Sequence, residues 1–181
     1  MPGDYSVVLT ANGKTFTQPL ALKMEPRVKA SAADLAQQFA LSKKLYDARP
    51  TLIPIDKSLR HLSDEIQKAR EKIADKAVQE KLDAFEKAVR EFGPKSARPG
   101  TPLSLDALSR LETLFATLQK TDAAPTPRVA AAVPLVLQET ESAPQRWQKF
   151  ISEILPTLNQ QLESVGIEKL SLGEPVPVKA R

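Results

Sequence analysis

The sequence feature that most constrains the fold is an apolar repeat between residues 41 and 73. Its apolar side chains recur in alternating steps of four and three residues, the seven-residue repeat of a helix that packs along one side. The repeat comprises Leu41, Leu45, Ala48, Leu52, Ile55, Leu59, Leu62, Ile66, Ala69 and Ile73. A helix of this kind must bury its apolar side, so we expect the rest of the chain to supply partner helices.

Two prolines, Pro50 and Pro54, lie inside this repeat. A proline in a helix interior removes a hydrogen bond and costs about 3 kcal/mol. The apolar phase is nevertheless unchanged across both prolines, and an inserted loop would have no reason to preserve it. We therefore predict one bent helix over about residues 32–73, capped by Ser31 and Asp34, with both prolines on its solvent side. Two helices broken at the prolines remain the alternative.

Two short helices are expected next. The first has the apolar side chains Val78, Leu82, Phe85, Val89 and Phe92, and Gly93-Pro94 ends it. Residues 94–103 have the composition of a loop. The second short helix is capped by Ser104 or Thr101, and its apolar side chains are Leu105, Leu108, Leu111, Phe115 and Leu118.

A second long helix is predicted from Thr126-Pro127, which combines an N-cap with a first-turn proline. Its apolar positions are Val129, Val133, Val136, Thr140, Ala143, Trp147, Ile151, Ile154, Leu158, Leu162 and Val165. They continue to Gly166, with Pro134, Pro144 and Pro156 off or beside the stripe. We expect one long, irregular helix antiparallel to the first. Residues 167–181 follow as an extended tail, with Leu170 and Leu172 packed on the end of the helices.

The N-terminus predicts a β-hairpin rather than a helix. Apolar and polar residues alternate around Tyr5, Val7 and Leu9, and Asn12-Gly13 suits a tight two-residue turn. Because an isolated hairpin is marginal in water, its strands must either finish a sheet or lie on the helices. Pro19 in the second strand indicates an edge or a bulge.

Together these patterns predict a mainly α fold. We expect an elongated antiparallel four-helix bundle with two long helices and two short ones, preceded by the N-terminal β-hairpin. Residues 1–28 form the hairpin, residues 29–170 the helical bundle and residues 171–181 the extended tail.

Composition excludes several classes of function. The chain has no cysteine and one histidine, so it holds neither disulfides nor an ordinary zinc site. Its net charge of +4 comes from basic residues interleaved with acidic ones, which argues against a nucleic-acid partner. No apolar run approaches the length of a membrane span, and the residues after Met1 do not read as a signal peptide.

Each candidate for chemistry has a simpler structural interpretation. Gly13-Lys14-Thr15 imitates a phosphate loop, but Val8 occupies the position of the motif's first glycine. His61 has no partner histidine or cysteine for a metal. Adjacent or near-adjacent helical carboxylates do not face each other, and Trp147 at an apolar position favours the core. The carboxylates concerned are Asp64, Glu65, Glu139 and Glu141. We therefore predict no catalytic, cofactor-binding or metal-ligating residue, and no cofactor.

A resemblance to a known family comes from both ends of the chain. The residues that carry it are Pro2-Gly3-Asp4-Tyr5-Ser6-Val7, Leu9, Asn12-Gly13-Lys14, Gln18-Pro19-Leu20, Lys23-Met24-Glu25-Pro26-Arg27-Val28, Ala33-Asp34-Leu35, Gln37-Gln38-Phe39 and, near the other end, Pro156-Thr157-Leu158-Asn159 with Leu162 and Gly166. The first group resembles the last two strands of the small immunoglobulin-like module in bacterial sortilin-like (VPS10-type, BNR-repeat) β-propeller proteins. The rest resembles the helical tail that follows that module.

The resemblance implies a C-terminal piece of a longer protein that is extracytoplasmic or secreted. Such proteins are commonly described as glycosyl hydrolase-like, but the active surface implied by the family lies in a propeller outside this sequence. The first hypothesis is therefore a non-enzymatic structural or protein-interaction module, whose partner is the remainder of a parent chain or a second copy. The alternative is an accessory segment of a glycosyl hydrolase-like enzyme. A binder of membrane surfaces or nucleic acid, on charge alone, is a weaker third.

Overall fold

The computed structural model describes residues 2–95 and 104–173. These residues are mainly helical and begin with a two-stranded antiparallel hairpin. The elements are β1 (Gly3–Ala11), β2 (Lys14–Leu22), α1 (Ala32–Lys72), α2 (Lys76–Arg90), α3 (Asp106–Gln119), α4 (Pro127–Glu153) and α5 (Leu155–Ser164). The mainly α class and the N-terminal hairpin predicted from the sequence are confirmed.

Helix α1 is one continuous helix of 41 residues, with Pro50 and Pro54 inside it. The alternative of two helices broken at these prolines is wrong. Ser31 caps the helix as predicted: its hydroxyl accepts from the Asp34 amide at 3.1 Å, and the Asp34 carboxylate accepts from the Ser31 amide at 2.9 Å. Pro50 is exposed, but Pro54 is half-buried, so only the first lies fully on the solvent side.

The apolar repeat of α1 forms the centre of the core. Eight of its ten residues are buried, and Leu41 and Ala48 are half-buried against the same cluster. Helices α2, α3 and α4 all contact α1. The expectation that this helix requires partner helices from the rest of the chain is met.

Side-chain contacts define the directions of the helices. Gln38 near the start of α1 bonds to the Thr121 carbonyl just after α3, whereas Asp56 bonds to Leu105 just before α3. Helix α3 therefore runs antiparallel to α1. It also runs antiparallel to α4, because Asp106 shares a cavity with Ala143 of α4, while Leu114 shares another with Ala132.

The two long helices consequently run in the same direction. The expectation that they are antiparallel to each other is wrong. The physical reason is that α2 and α3 together lead the chain from the end of α1 back to its start, where Thr121 contacts Gln38. Helix α4 therefore begins near the start of α1. Pro127 then starts α4 alongside α1 in the same sense.

The predicted second long helix is two helices that meet at Ile154. Pro156 has no amide hydrogen and its ring obstructs the preceding turn, so the helical ladder stops and restarts there. The buried positions depart from the predicted stripe around this junction: Phe150 in α4 and Leu155 in α5 are buried, whereas Ile154 between the two helices is 41% exposed. Val165, also predicted to be apolar core, is exposed. Pro134 and Pro144 remain inside α4.

The start of α3 is capped by another helix rather than by its own sequence. Its N-cap residue is Leu105, which makes no side-chain cap bond, so the predicted cap at Ser104 is wrong. The buried Asp56 carboxylate of α1 instead accepts from the Leu105 amide at 2.7 Å. The alternative cap at Thr101 and residues 96–103 of the predicted loop lie outside the described residues.

The chain after α5 packs as predicted for its described part. Residues 167–173 have no regular structure, Leu170 is buried and Leu172 is half-buried. Asn159 holds this segment by donating to the Leu170 carbonyl at 3.0 Å and accepting from its amide at 2.8 Å. The remainder of the predicted tail, residues 174–181, lies outside the described residues.

Pro50→Ala tests the continuity of α1. Alanine restores the missing amide hydrogen at an exposed helical position, so we expect the free energy of unfolding to rise by about 1 kcal/mol or more in urea titrations. Pro26→Ala, in a turn, is the matched control and gives no such gain. A lower stability for Pro50→Ala would contradict a continuous helix.

Asp56→Ala tests the cap that α1 provides for α3. The substitution leaves the Leu105 amide without its acceptor, which we expect to cost about 2 kcal/mol in chemical denaturation. Asp64→Ala, an exposed carboxylate on the same helix, changes stability by less than about 0.5 kcal/mol. Equal losses for the two variants would show that Asp56 has no special role.

Candidate functional site

The β-hairpin is the most unusual surface of the described residues. Its strands pair in register from Gly3 opposite Leu22 to Ala11 opposite Lys14. Asn12 and Gly13 connect them with positive φ angles of 50° and 73°. Positive φ at both central residues is the geometry of a tight hairpin turn, so the predicted Asn-Gly turn is confirmed.

The register places most of the large apolar side chains of the hairpin on one side. Alternate residues of a strand face the same way, and directly paired residues share a side. We call the resulting set the apolar face: Val7, Leu9, Phe16, Leu20 and Leu22. Tyr5 lies on the same side, and Gln18 lies opposite Val7 within it. The other side carries mainly threonines, serine and Asp4, with Val8 as its large apolar residue.

This face is uncovered in the described residues. Every residue of both strands is exposed, and among the described residues the backbone of neither strand comes close to a helix. The side chains of the apolar face are 42–61% exposed. The hairpin supplies seven of the twelve large hydrophobic residues that are exposed in residues 2–95 and 104–173. Among the described residues, the hairpin is therefore a two-stranded sheet of its own, and its backbone lies away from the helices.

The two outer edges of the hairpin differ. Ala11 and Lys14 flank the turn as a hydrogen-bonded pair, and hydrogen-bonded and non-hydrogen-bonded pairs alternate from there. By this alternation Pro19 and Ser6 form a non-hydrogen-bonded pair, so the proline costs no bond between the strands. It removes one donor from the outer edge of β2, which fits its predicted edge position.

The segment Gly13-Lys14-Thr15, which imitates the end of a phosphate loop, is part of this hairpin. Gly13 lies in the turn, and Lys14 and Thr15 are paired residues of β2. The Thr15 hydroxyl contacts the Thr10 hydroxyl across the strands at 3.3 Å. The segment has the geometry of a hairpin turn followed by a strand.

His61 takes part in a structural contact. It is half-buried on α1, and its Nε2 lies 2.9 Å from the Ser171 hydroxyl. Gly173 has a φ of +74°, and a Cβ at this residue would lie 3.1 Å from the His61 ring. His61 thus helps to hold the segment after α5. No cluster of three or more potential metal ligands occurs in the described parts of the chain.

Two of the four candidate carboxylates are engaged in ion pairs. Glu65 contacts Lys68 at 3.1 Å, and both carboxylate oxygens of Glu139 accept from Arg110 at 2.6 and 2.7 Å. Asp64 and Glu141 are exposed. The structure therefore places these groups on helix surfaces and in structural ion pairs.

Trp147 belongs to the core, as predicted. It is 6% exposed and stacks on Phe150 with ring centroids 5.7 Å apart. Phe92 meets it edge-on at 5.2 Å. Arg146 lies over the Phe92 ring at 5.5 Å, so the guanidinium covers this aromatic group from outside.

A charged network joins α1 to α2. Arg70 contacts Asp83 at 2.6 Å and also Glu86, which in turn contacts Arg90. Burial lowers the pKa of Arg70, but its hydrogen bonds to Asp83 and Glu86 raise it more, so the net shift is upward. The network fixes positive charge within the protein rather than presenting it to an anionic ligand.

Comparisons give this chain no relative. No known protein family matches it, and neither does any curated protein or solved structure. Among the described residues, no helix combines the length and the apolar character needed to cross a bilayer.

Asp34 predicts a pH dependence of stability. Hydrogen bonds from the Ser31 hydroxyl and amide lower its pKa below the ordinary value of 3.8. Because this pKa is lower in the folded state, the ionised carboxylate stabilises the protein at pH values above 3.8. The stabilisation is lost as the pH falls through the pKa of the folded state. We expect the stability difference between wild type and Asp34→Asn to be largest near about pH 6 and to shrink by about pH 2. A difference that stays constant over this range would contradict the capping role of the carboxylate.

Proposed function

We propose that this chain is a non-catalytic structural or protein-interaction module. In this proposal an elongated four-helix bundle, with α4 and α5 counted as one interrupted helix, carries the hairpin as its contact element. The short helices α2 and α3 lie antiparallel to the two long ones. The observation that carries the proposal is the apolar face of the hairpin, which no described part of the chain covers.

Exposed apolar surface of this kind is unfavourable without a partner. Contiguous apolar patches on monomeric proteins are usually small, and larger ones mark interaction sites. A two-stranded hairpin without a packed face is at best marginally stable in water. Both considerations favour a protein surface as the natural neighbour of this face.

The contacts of the polar side chains support a module without catalysis. His61 bonds to Ser171, Asp56 bonds to the Leu105 amide, and Glu139 pairs with Arg110. These three groups, which could act as acids or bases, are thus occupied by contacts that hold helices and loops together. The ion pairs of Arg49, Arg70 and Arg110 likewise argue against a nucleic-acid surface.

The family resemblance supports a specific setting for the module. In that setting it belongs to the C-terminal part of a sortilin-like β-propeller protein that is extracytoplasmic or secreted. The DNA upstream of Met1 tests this assignment: an open reading frame encoding propeller blades would support it. A stop codon and a ribosome-binding site immediately upstream would contradict it and leave a free-standing module.

A glycosidase assay tests the non-catalytic assignment. We expect the purified chain to hydrolyse a panel of nitrophenyl glycosides no faster than buffer. The variants Asp64→Asn, Glu65→Gln, Glu139→Gln and Glu141→Gln should show the same background rate. Turnover above background that any one of these substitutions abolishes would contradict the proposal.

A further inference from the structure

We propose that two copies of this chain associate by stacking the apolar faces of their hairpins, with the two hairpins antiparallel. The inference rests on the proposed function, because it takes the hairpin as the contact element. It adds the partner, which is a second copy of the same chain.

The apolar face is suited to its own copy. Two sheets that pack face to face interdigitate apolar side chains at a spacing of about 10 Å. Val7, Leu9, Phe16 and Leu20 provide such side chains on one side of the hairpin, and its other side is mainly polar. Apart from Gln18 near its middle and Lys14 at the turn, this side is apolar, so it meets the same chemistry on a second copy.

The area of the face fits a weak dimer. Side chains of this size contribute on the order of 100 Å² each, so the five residues give roughly 500 Å² per copy. Stacking two faces therefore removes about 1,000 Å² from water, near the lower limit for a specific interface. We expect a dimer that dissociates in the micromolar range rather than a permanent one.

Charge favours the antiparallel arrangement. Lys14 lies on the side of the apolar face, next to the turn. A parallel stack would bring the Lys14 ammonium groups of both copies together. An antiparallel stack places the two Lys14 residues at opposite ends of the stacked hairpins, which avoids that repulsion.

Edge-to-edge pairing of the strands fits less well. Pairing β1 with β1 of a second copy would join two apolar faces into one larger sheet surface that still faces water. Pairing through β2 meets the missing donor at Pro19. Face-to-face stacking alone removes the apolar side chains from water.

Val7 and Val8 provide a matched pair of variants. They are neighbours of the same residue type and are 52% and 59% exposed, but their side chains lie on opposite sides of β1. Sedimentation velocity of the whole chain between about 1 and 300 µM should show reversible dimerisation. Val7→Lys should raise the dissociation constant by about tenfold or more, because it places a charge inside the interface. Val8→Lys should leave it within about twofold, and the helical circular dichroism of all three proteins should agree.

Cysteine variants test the same geometry without a buried charge. The natural chain has no cysteine, and Gln18 and Thr17 are adjacent residues on opposite sides of β2. Gln18→Cys lies near the middle of the apolar face, and a bismaleimide reagent that spans about 10 Å, the spacing of stacked sheets, should cross-link it into a covalent dimer. Thr17→Cys should remain largely monomeric.

Two results would overturn the proposal. One is a wild-type chain that stays monomeric over the whole concentration range, and the other is equal behaviour of the two variants in either pair. If the monomeric chain instead binds the polypeptide encoded upstream and Val7→Lys abolishes that binding, the hairpin has a different occupant. That outcome refutes the second copy as partner but leaves the proposed function standing.

Discussion

Burial of one side of α1 is the interaction on which the rest of the structure depends. Eight of the ten apolar residues in its repeat are buried and two are half-buried, and α2, α3 and α4 all contact this helix, so each of them is held by the same surface. The hydrophobic term grows with the apolar area removed from water, and a helix of 41 residues offers more of it than the other elements. This explains how two interior prolines are tolerated: their cost of a few kcal/mol is spread over a helix that is anchored on both sides of them.

The polar contacts then fix details that apolar burial leaves open. Asp56 determines where α3 starts, because its carboxylate takes the Leu105 amide that no local side chain satisfies. Asn159 and His61 position the chain after α5. Each of these contacts joins residues far apart in sequence, so together they select one arrangement of helices whose apolar sides would fit several.

Local patterns predicted the parts of the fold that depend on local physics. The unbroken phase across Pro50 and Pro54 identified one helix, Ser31 with Asp34 marked its start, and Asn12-Gly13 marked the hairpin turn. The failures came from interactions that spacing does not record. Pro156 interrupts the predicted long helix, and Leu155 rather than Ile154 is buried at the junction. The cap from Asp56 is a tertiary contact. The direction of α4 depends on where the chain arrives after α2 and α3, and the spacing of apolar residues does not specify that position.

For the hairpin, the strands and the turn could be predicted from the sequence, whereas the exposure of its apolar face required the structure. Alternation of apolar and polar residues predicted the two strands, and Asn12-Gly13 predicted the turn between them. Only the coordinates show that the helices leave the apolar face uncovered. That exposed apolar face is the observation on which the proposal of a protein-interaction module rests.

Hydrogen–deuterium exchange of the whole chain, read peptide by peptide at low micromolar concentration, tests the central claim most directly. The account predicts strong protection across residues 46–58 of α1, with no weak point at the prolines, and exchange in β1 and β2 that is faster by orders of magnitude. Protection of the hairpin equal to that of α1 in dilute solution would contradict the account, because it would mean that the helices already cover the apolar face.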